Sequence, residues 1–241
     1  MLNKKIKKLT IIIPVYNEEK TIKQVLFKII KTKLPVQKEI IVVDDGSKDN
    51  SRKIIQLFIK NYNNPYKIKT IFKNKNDGKT KAIKDALKFA TGDFVIIQDA
   101  DLEYDINDYP KLLEPLLQNK ADMVIGSRFK GNIKKIFFTN YIANKFLSFL
   151  ANLIYGIDIT DEASGYKLFK TKYLKRMKPE SSGFNFCPEV IAKAAKMKLK
   201  IVEVPINYKA RTIREGKKIR WYHAFSAIWT LIKYRFKKIN P

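Results

Sequence analysis

Short apolar runs and helix-spaced segments alternate along the first half of the chain. Leu9–Pro14, Glu39–Val43, Lys67–Phe72, Phe94–Gln98 and Met123–Ser127 are β-rich runs that predict strands. Between them, Glu19–Thr32, Asp49–Tyr62, Gly78–Ala90 and Asn107–Asn119 carry apolar residues at helical spacing and predict helices. This alternation predicts an α/β fold, a mostly parallel sheet with helices on both faces.

Ligands of such sheets gather at the carboxyl ends of the strands, and the polar punctuation falls there. Tyr16-Asn17-Glu18 follows the first run, Asp44-Asp45-Gly46-Ser47 the second, and Asp99-Ala100-Asp101 the fourth. Two carboxylates one residue apart repel when ionised, and burial raises their pKa. A hard divalent cation, Mg²⁺ or Mn²⁺, relieves both problems and usually brings substrate phosphate with it. A lone Asp-x-Asp is more often a solvated turn; three acidic or polar loops on one rim form a constellation.

After Arg128 the character changes, giving an expected boundary inside one domain of residues 1–241. A half of about 1–128 would bind the donor, and a half of about 129–241 the acceptor. Ile136–Tyr155 is rich in Phe, Leu and Ile, with Asn140, Asn144, Ser148 and Asn152 at four-residue spacing. On a helix these form one narrow polar stripe. Two readings stand: a buried helix whose asparagines bond locally, or an interfacial helix with its apolar side in lipid headgroups. Trp221–Phe236 repeats the theme, with Lys233, Arg235, Lys237 and Lys238 suiting a helix on an anionic surface.

The 241 residues carry 49 Lys and Arg against 23 Asp and Glu, a formal charge of +26. That balance favours polyanions such as nucleic acid, anionic lipid or phosphorylated substrates, although an AT-biased, lysine-rich composition would also produce it. The single cysteine, Cys187, excludes an internal disulfide and a cysteine-based zinc cluster and suits a reducing compartment. The single histidine, His223, excludes a His-rich metal site. Both are read as structural. Met1–Lys8 resembles the start of a signal peptide, but the apolar stretch after it stops at Pro14 and is read as the first strand. No stretch reaches the roughly 20 apolar residues of a membrane span. The chain is expected to lie on a bilayer without crossing it.

Pro14-Val15-Tyr16-Asn17-Glu18, Val42-Val43-Asp44-Asp45-Gly46-Ser47, Asn76-Asp77-Gly78-Lys79 and Gln98-Asp99-Ala100-Asp101 occur in that order. Together they resemble family 2 glycosyltransferases of the GT-A fold, a Rossmann-like mixed sheet. Gly126-Ser127-Arg128-Phe129, Thr160–Lys167, Phe184–Glu189 and Glu203-Val204-Pro205-Ile206 are similar to the polyprenyl-phosphate branch, the dolichyl-phosphate mannose synthases among them. The resemblance runs from about Leu9 to Phe236 and adds C-terminal amphipathic interface helices to the expected fold.

The resemblance implies roles residue by residue. Pro14, Tyr16, Glu18, Val43 and Asp45 would frame base and ribose. Gly78 would let backbone approach the nucleotide, and Lys79 would add charge beside it. Asp99, Ala100 and Asp101 would hold the sugar nucleotide, with Asp99, Asp101 and Glu103 as ligands of Mg²⁺ or Mn²⁺. Ser127, Arg128, Asn140, Asn144, Arg211, Lys217 and Lys218 would face the acceptor phosphate, with Asp99, Asp101, Arg128 and Arg211 closest to the chemistry. Two departures stand out. Asn140 and Asn144 occupy positions where the dolichyl-phosphate mannose synthases carry Arg and Ser, so that either Lys145 or Arg214 would compensate or the acceptor would differ. Thr80 replaces a common second glycine. Glu189 sits where hydroxyl-directed relatives could place a base; a structural or metal-proximal role is favoured.

The implied activity is inverting transfer of a hexose from a GDP- or UDP-sugar to a polyprenyl or dolichyl phosphate, by a cytoplasmic enzyme peripheral to the membrane. A lipid monophosphate, with a second pKa of about 6, arrives largely deprotonated and needs no general base. A saccharide hydroxyl needs one, and that acceptor is the alternative for the same enzyme. A basic nucleic-acid-binding module is the remote alternative. It would bind any duplex with strong salt dependence, but no nucleic-acid motif is present and none is expected as partner.

Overall fold

The computed structural model describes residues 6–62, 68–183, 185–212, 215–216 and 222–238. Strands β1 (Lys8–Val15), β2 (Gln37–Asp44), β3 (Ile68–Phe72) and β4 (Phe94–Ile97) alternate with helices α1 (Ile22–Lys31), α2 (Ser51–Asn61) and α3 (Lys79–Leu87). A 3₁₀ turn at Ile106–Asp108 leads into α4 (Tyr109–Leu117). Then come β5 (Met123–Lys135), α5 (Phe138–Tyr155), β6 (Lys167–Lys170), α6 (Thr171–Met177), α7 (Phe186–Lys196), β7 (Ile201–Lys209) and α8 (His223–Phe236).

The seven strands form one sheet in the order β3-β2-β1-β4-β6-β5-β7. β1 pairs parallel with β2 and β4, and β2 with β3, while β6 runs antiparallel between β4 and β5. The sheet therefore passes through both halves of the chain.

Side chains alternate across each strand, and that rule separates two cores. Ile11, Ile13, Ile40, Val42 and Ile96 pack under α1, α2 and α4, with Leu26, Phe58 and Leu112. Ile12, Ile41, Val43, Val95 and Ile97 pack on the other face with Ile83, Leu174, Val190 and Leu231. Each of these strands is buried on both faces, so its sequence is continuously apolar.

Two features escape a reading of apolar runs. β5 continues to Lys135 because Asn132, Ile133 and Lys135 pair with β7 after a bulge, and a single part-buried Ile133 among exposed Lys, Gly and Asn gives no apolar run. A Cβ on Gly131 would lie 2.0 Å from the Ile206 carbonyl oxygen, so only glycine fits that bulge. Pro205, which donates no backbone hydrogen bond, sits in β7 at the sheet's edge. Among the described residues, no helix is long and apolar enough to cross a membrane.

α5 and α8 pack side by side, and the Tyr155 hydroxyl donates to the Leu231 carbonyl at 2.6 Å. Trp221 lies outside the described residues. α5 buries only Leu147, Ser148 and Ala151. Phe138, Ile142, Phe146, Phe149 and Leu153 stay exposed on it, as do Phe225, Trp229, Ile232 and Phe236 on α8. The fully buried alternative for α5 is thereby corrected: one side of this helix pair is an apolar surface facing outward.

Candidate active site

The carboxyl ends of β1, β2 and β4 open onto a cavity of about 440 Å³. Its floor is set by a buried glutamine. Gln98 accepts from the hydroxyls of Tyr109 and Tyr166, each at 2.7 Å, and donates to the Asp99 carbonyl at 2.8 Å. That fixes the main chain from which Asp99 and Asp101 project. Leu102 follows with φ +62, a left-handed conformation uncommon for a bulky residue. The turn lets Asp101 Oδ1 accept from the Glu103 amide at 3.1 Å.

The two aspartates are compensated by cations from elsewhere in the chain. Lys79, at the start of α3, forms an ion pair with Asp99. Arg211 Nη2 lies 3.5 Å from Asp101 Oδ2, while Nη1 and Nη2 donate to Glu18 at 2.8 and 3.1 Å. Burial, then the charges of Asp99 and Glu103, push the Asp101 carboxyl up to about 7, opposed by Arg211. Burial alone would lower the Lys79 ammonium; Asp99 more than offsets this and raises it.

On the β2 side, Asp45 accepts from the Gly78 amide at 2.8 Å and pairs with Lys73. It thereby anchors the 76–78 loop at the cavity's edge. Gly78 has φ +93, which favours glycine.

The predicted residues Pro14, Tyr16, Glu18, Asp45, Gly78 and Lys79 all line this one cavity. So do Asp99, Ala100, Asp101, Glu103, Arg128, Asn140, Asn144 and Arg211. Val43 does not, because strand alternation turns it into the core beneath α3. Ser127 does not either: it is fully buried and bonded to the Thr160 hydroxyl at 2.7 Å. Lys217, Lys218 and Arg214 lie outside the described residues.

Two assignments change once the contacts are known, while the contacts of Glu189 agree with the structural role already favoured for it. Glu103, expected as a metal ligand, accepts from the Tyr208 hydroxyl and the Arg211 amide, both at 2.7 Å. Its carboxylate therefore braces β7 and the segment after it. Arg128 is held by Asp161, which receives Nε at 2.7 Å and Nη2 at 2.6 Å. Two nitrogens of its fork are committed to this buried pair. Glu189 is fully buried, accepts from the Ser181 amide at 2.9 Å and pairs with Lys193, a structural role.

The polar stripe of α5 divides. Asn140 and Asn144 reach the cavity, whereas the Ser148 hydroxyl donates to the Asn144 carbonyl and Asn152 exchanges two hydrogen bonds with the Ile159 backbone. Lys145 lies 4.4 Å over the Phe129 ring and does not line the cavity.

Sequence reasoning missed several lining residues. Tyr104, Tyr208, Glu162, Gly165 and Phe186 line the cavity, and so do Cys187 and His223, both read as structural. Glu162, Ser164 and Gly165 did carry a signal as part of the Thr160–Lys167 motif, and the structure gives a reason for the glycine: a Cβ on Gly165 would meet Asp99 Oδ2 at 2.7 Å.

Among the described residues, no group of three or more His, Cys, Asp or Glu is arranged to hold a metal. Asp99 and Asp101 remain as a pair of hard oxygen donors. Mg²⁺ is commonly held by one or two carboxylates, with substrate phosphates and water filling the other positions, and the pair fits that mode.

The family model for Glycosyl transferase family 2 matches residues 10–178. The chain belongs to this family. Its similarity to a UDP-N-acetylglucosamine–dolichyl-phosphate N-acetylglucosaminyltransferase of Methanococcus voltae is 34% identity, over 82% of this chain and 84% of that protein. A dolichol-phosphate mannosyltransferase of Pyrococcus furiosus is 28% identical over 87% of this chain and 59% of its own length. These relatives support the polyprenyl-phosphate branch of the family. Among solved structures, glucosyl-3-phosphoglycerate synthase from Mycobacterium tuberculosis, in complex with Mn²⁺, UDP and phosphoglyceric acid, superposes with a TM-score of 0.68. It is 21% identical, over 95% of this chain and 79% of that one. That likeness shows the GT-A-like fold. As a family 2 glycosyltransferase the protein is an enzyme, which displaces the reading of its charge as a nucleic-acid-binding module.

Proposed function

We propose that this glycosyltransferase moves a hexosyl group from a nucleoside-diphosphate sugar to a polyprenyl or dolichyl phosphate, working from the cytoplasmic face of a membrane. One observation carries the reading. The cavity that holds Asp99, Asp101, Lys79 and Arg211 is walled on its other side by α5 and α8, whose outer faces are apolar and exposed. A polar reaction centre backed by an apolar surface suits a substrate with a phosphate head and a hydrocarbon tail. The names of the two archaeal relatives support the same acceptor class.

In this reading Pro14, Tyr16 and Asp45 flank the nucleoside, and the diphosphate lies against Asp99 and Asp101. Asp99 and Asp101 would hold Mg²⁺ or Mn²⁺, which when bound would supply Lewis-acid stabilisation of the charge the diphosphate gains. Lys79 and Arg211, already at that spot, turn from the aspartates to the diphosphate oxygens. The acceptor phosphate oxygen attacks the anomeric carbon from the opposite side. The bond to the acceptor forms as the bond to the diphosphate breaks, and configuration inverts. No proton has to be removed, so orientation and charge neutralisation suffice. Asn140 and Asn144 offer uncharged hydrogen-bond donors to the acceptor phosphate.

The test is a screen of UDP- and GDP-hexoses with Mn²⁺ or Mg²⁺ and a short polyprenyl phosphate. A lipid-linked hexose is the expected product, lost in Asp101→Ala. Transfer to free saccharides with none to lipid phosphate would overturn the acceptor assignment.

A further inference from the structure

Glu162 is the anomaly of the cavity wall. It is fully buried, it lines the cavity, and neither carboxylate oxygen has a hydrogen-bond partner. Its surroundings bind its main chain instead. The Glu162 amide donates to the Ser148 hydroxyl at 2.9 Å, and Lys167 Nζ donates to the Glu162 carbonyl at 2.7 Å. An unsatisfied buried carboxylate is costly, and its position in the wall says what would satisfy it.

The strand order runs β2-β1-β4-β6. Asp45 follows β2, Tyr16 follows β1, Asp99 and Asp101 follow β4, and the 162–166 turn leads into β6. With the nucleoside at β2 and β1 and the diphosphate at β4, the next position along the rim belongs to the sugar. Gly165 touches Asp99 across that step, as its missing Cβ shows. A carboxylate there repels an acceptor phosphate, and among the described residues it belongs to no group of three or more side chains arranged to hold a cation. It fits a neutral group with hydrogen-bond donors.

We infer that Glu162 is a donor-recognition residue, whose carboxylate accepts a hydrogen bond from a hydroxyl or acetamido N–H of the hexosyl group. This rests on the nucleotide-sugar reading above and deepens it, because it separates recognition of the sugar from recognition of the nucleotide. Nothing in the reaction needs Glu162 to move a proton.

The experiment measures binding and not turnover. Affinities for UDP, GDP, UDP-glucose, UDP-N-acetylglucosamine and GDP-mannose are determined with Mn²⁺ by calorimetry, for the wild type and for Glu162→Gln and Glu162→Ala. The isosteric Gln variant carries the test should the Ala variant fold poorly. Relative to the preferred bare nucleotide, affinity for the matching sugar nucleotide is expected to fall roughly ten- to a hundredfold in Glu162→Ala, the range for a hydrogen bond to a charged group. It falls less in Gln, whose carbonyl still accepts. Affinity for the bare nucleotide stays as in the wild type. Equal changes for nucleotide and sugar nucleotide, or none for either, overturn the role of Glu162 and leave the nucleotide site standing. A wild type that binds none of the five overturns the parent reading and this inference together.

Discussion

Arg211 grips Glu18 through both terminal nitrogens, at 2.8 and 3.1 Å, across 193 positions of sequence. One of those nitrogens also lies 3.5 Å from Asp101. Arg211 thereby places a cation at the edge of the cavity, beside the rim carboxylates. Removing it leaves Glu18 and Asp101 without their shared counter-charge and the diphosphate without a forked donor. Arg211→Ala is expected to slow transfer roughly a hundredfold or more, the scale seen when one charge-stabilising donor is lost. Mn²⁺ affinity, followed by electron paramagnetic resonance, should stay equal or rise, because a competitor for Asp101 has gone. A parallel loss of metal affinity would contradict this account of Arg211.

The Arg128–Asp161 pair is fully enclosed, with side-chain contacts of 2.6 and 2.7 Å and a third bond from the Arg128 amide at 2.8 Å. Breaking one partner of a buried pair strands the other charge, at a cost of about 3–5 kcal/mol. Asp161→Ala should therefore lower the free energy of unfolding by that amount in urea titration. A change below about 1 kcal/mol, the range of an exposed pair, would show that Arg128 finds another partner.

Gly165 is the point where the turn before β6 meets the reaction centre. An alanine Cβ there would fall 2.7 Å from Asp99 Oδ2 and 3.1 Å from the Tyr104 ring, and Tyr104 is itself stacked on Tyr166 with centroids 4.5 Å apart. The carboxylate is the movable party. Gly165→Ala is expected to cut kcat roughly a hundredfold, since displacement by about 1 Å suffices for that, with a fall in Tm of only a few degrees. Unchanged kcat would mean that Asp99 has room to spare.

Strands β1, β2 and β4 were legible in the sequence because strands buried on both faces read as continuous apolar runs, as Ile11-Ile12-Ile13 does; β3, part-buried at the sheet's edge, showed only as a short β-rich run. The rim carboxylates were legible because Asp99 and Asp101 directly follow such a run. Other features depend on partners distant in sequence. Glu103 reads as a metal ligand until Tyr208, 105 positions away, claims it. β6 has four residues bounded by lysines, too short for a period to register. Val43 and Ser127 sit in the right segments but point the wrong way, a matter of strand phase that a motif match does not decide. Glu162 gives no local sign of burial, because α5 and α7 enclose it only in the fold.

The unsatisfied carboxylate of Glu162 also has a thermodynamic signature. Burial, partly opposed by Lys167 and reinforced by Asp161, raises it from 4.5 to about 7; Arg128 lowers it, and the Cys187 thiol lies nearby. The native state thus holds this proton more tightly than the unfolded chain does. Between pH 4.5 and about 7 the native state binds more protons at this site, so stability falls as pH rises and then levels off. The loss is about 3 kcal/mol at most. Glu162→Gln should match the wild type near pH 4 and exceed it in stability above pH 7, as measured by urea unfolding across that range. An equal offset at every pH would mean that the carboxylate is not titrating in the fold.

The outer face of α5 and α8 tests the membrane side of the proposal. Phe149 is 61% exposed, Leu153 70%, Phe225 66% and Trp229 66%, large apolar side chains left in the open on two helices that pack together. Lys233, Arg235 and Lys238 add positive charge near the C-terminal end of α8. Burial in an interface contributes by apolar area, while basic side chains near anionic headgroups add about 1 kcal/mol each and weaken with salt. The two contributions separate experimentally. Flotation with anionic liposomes should show binding that falls, but is not abolished, as salt rises. Phe149→Ser with Trp229→Ser should remove the salt-resistant part, because these residues are outside the cavity and are not needed for donor binding. Retained flotation of that double variant, with calorimetric donor affinity unchanged, would move the membrane contact off this helix pair. Lost donor affinity would instead mean that the outer face also supports the cavity wall it backs.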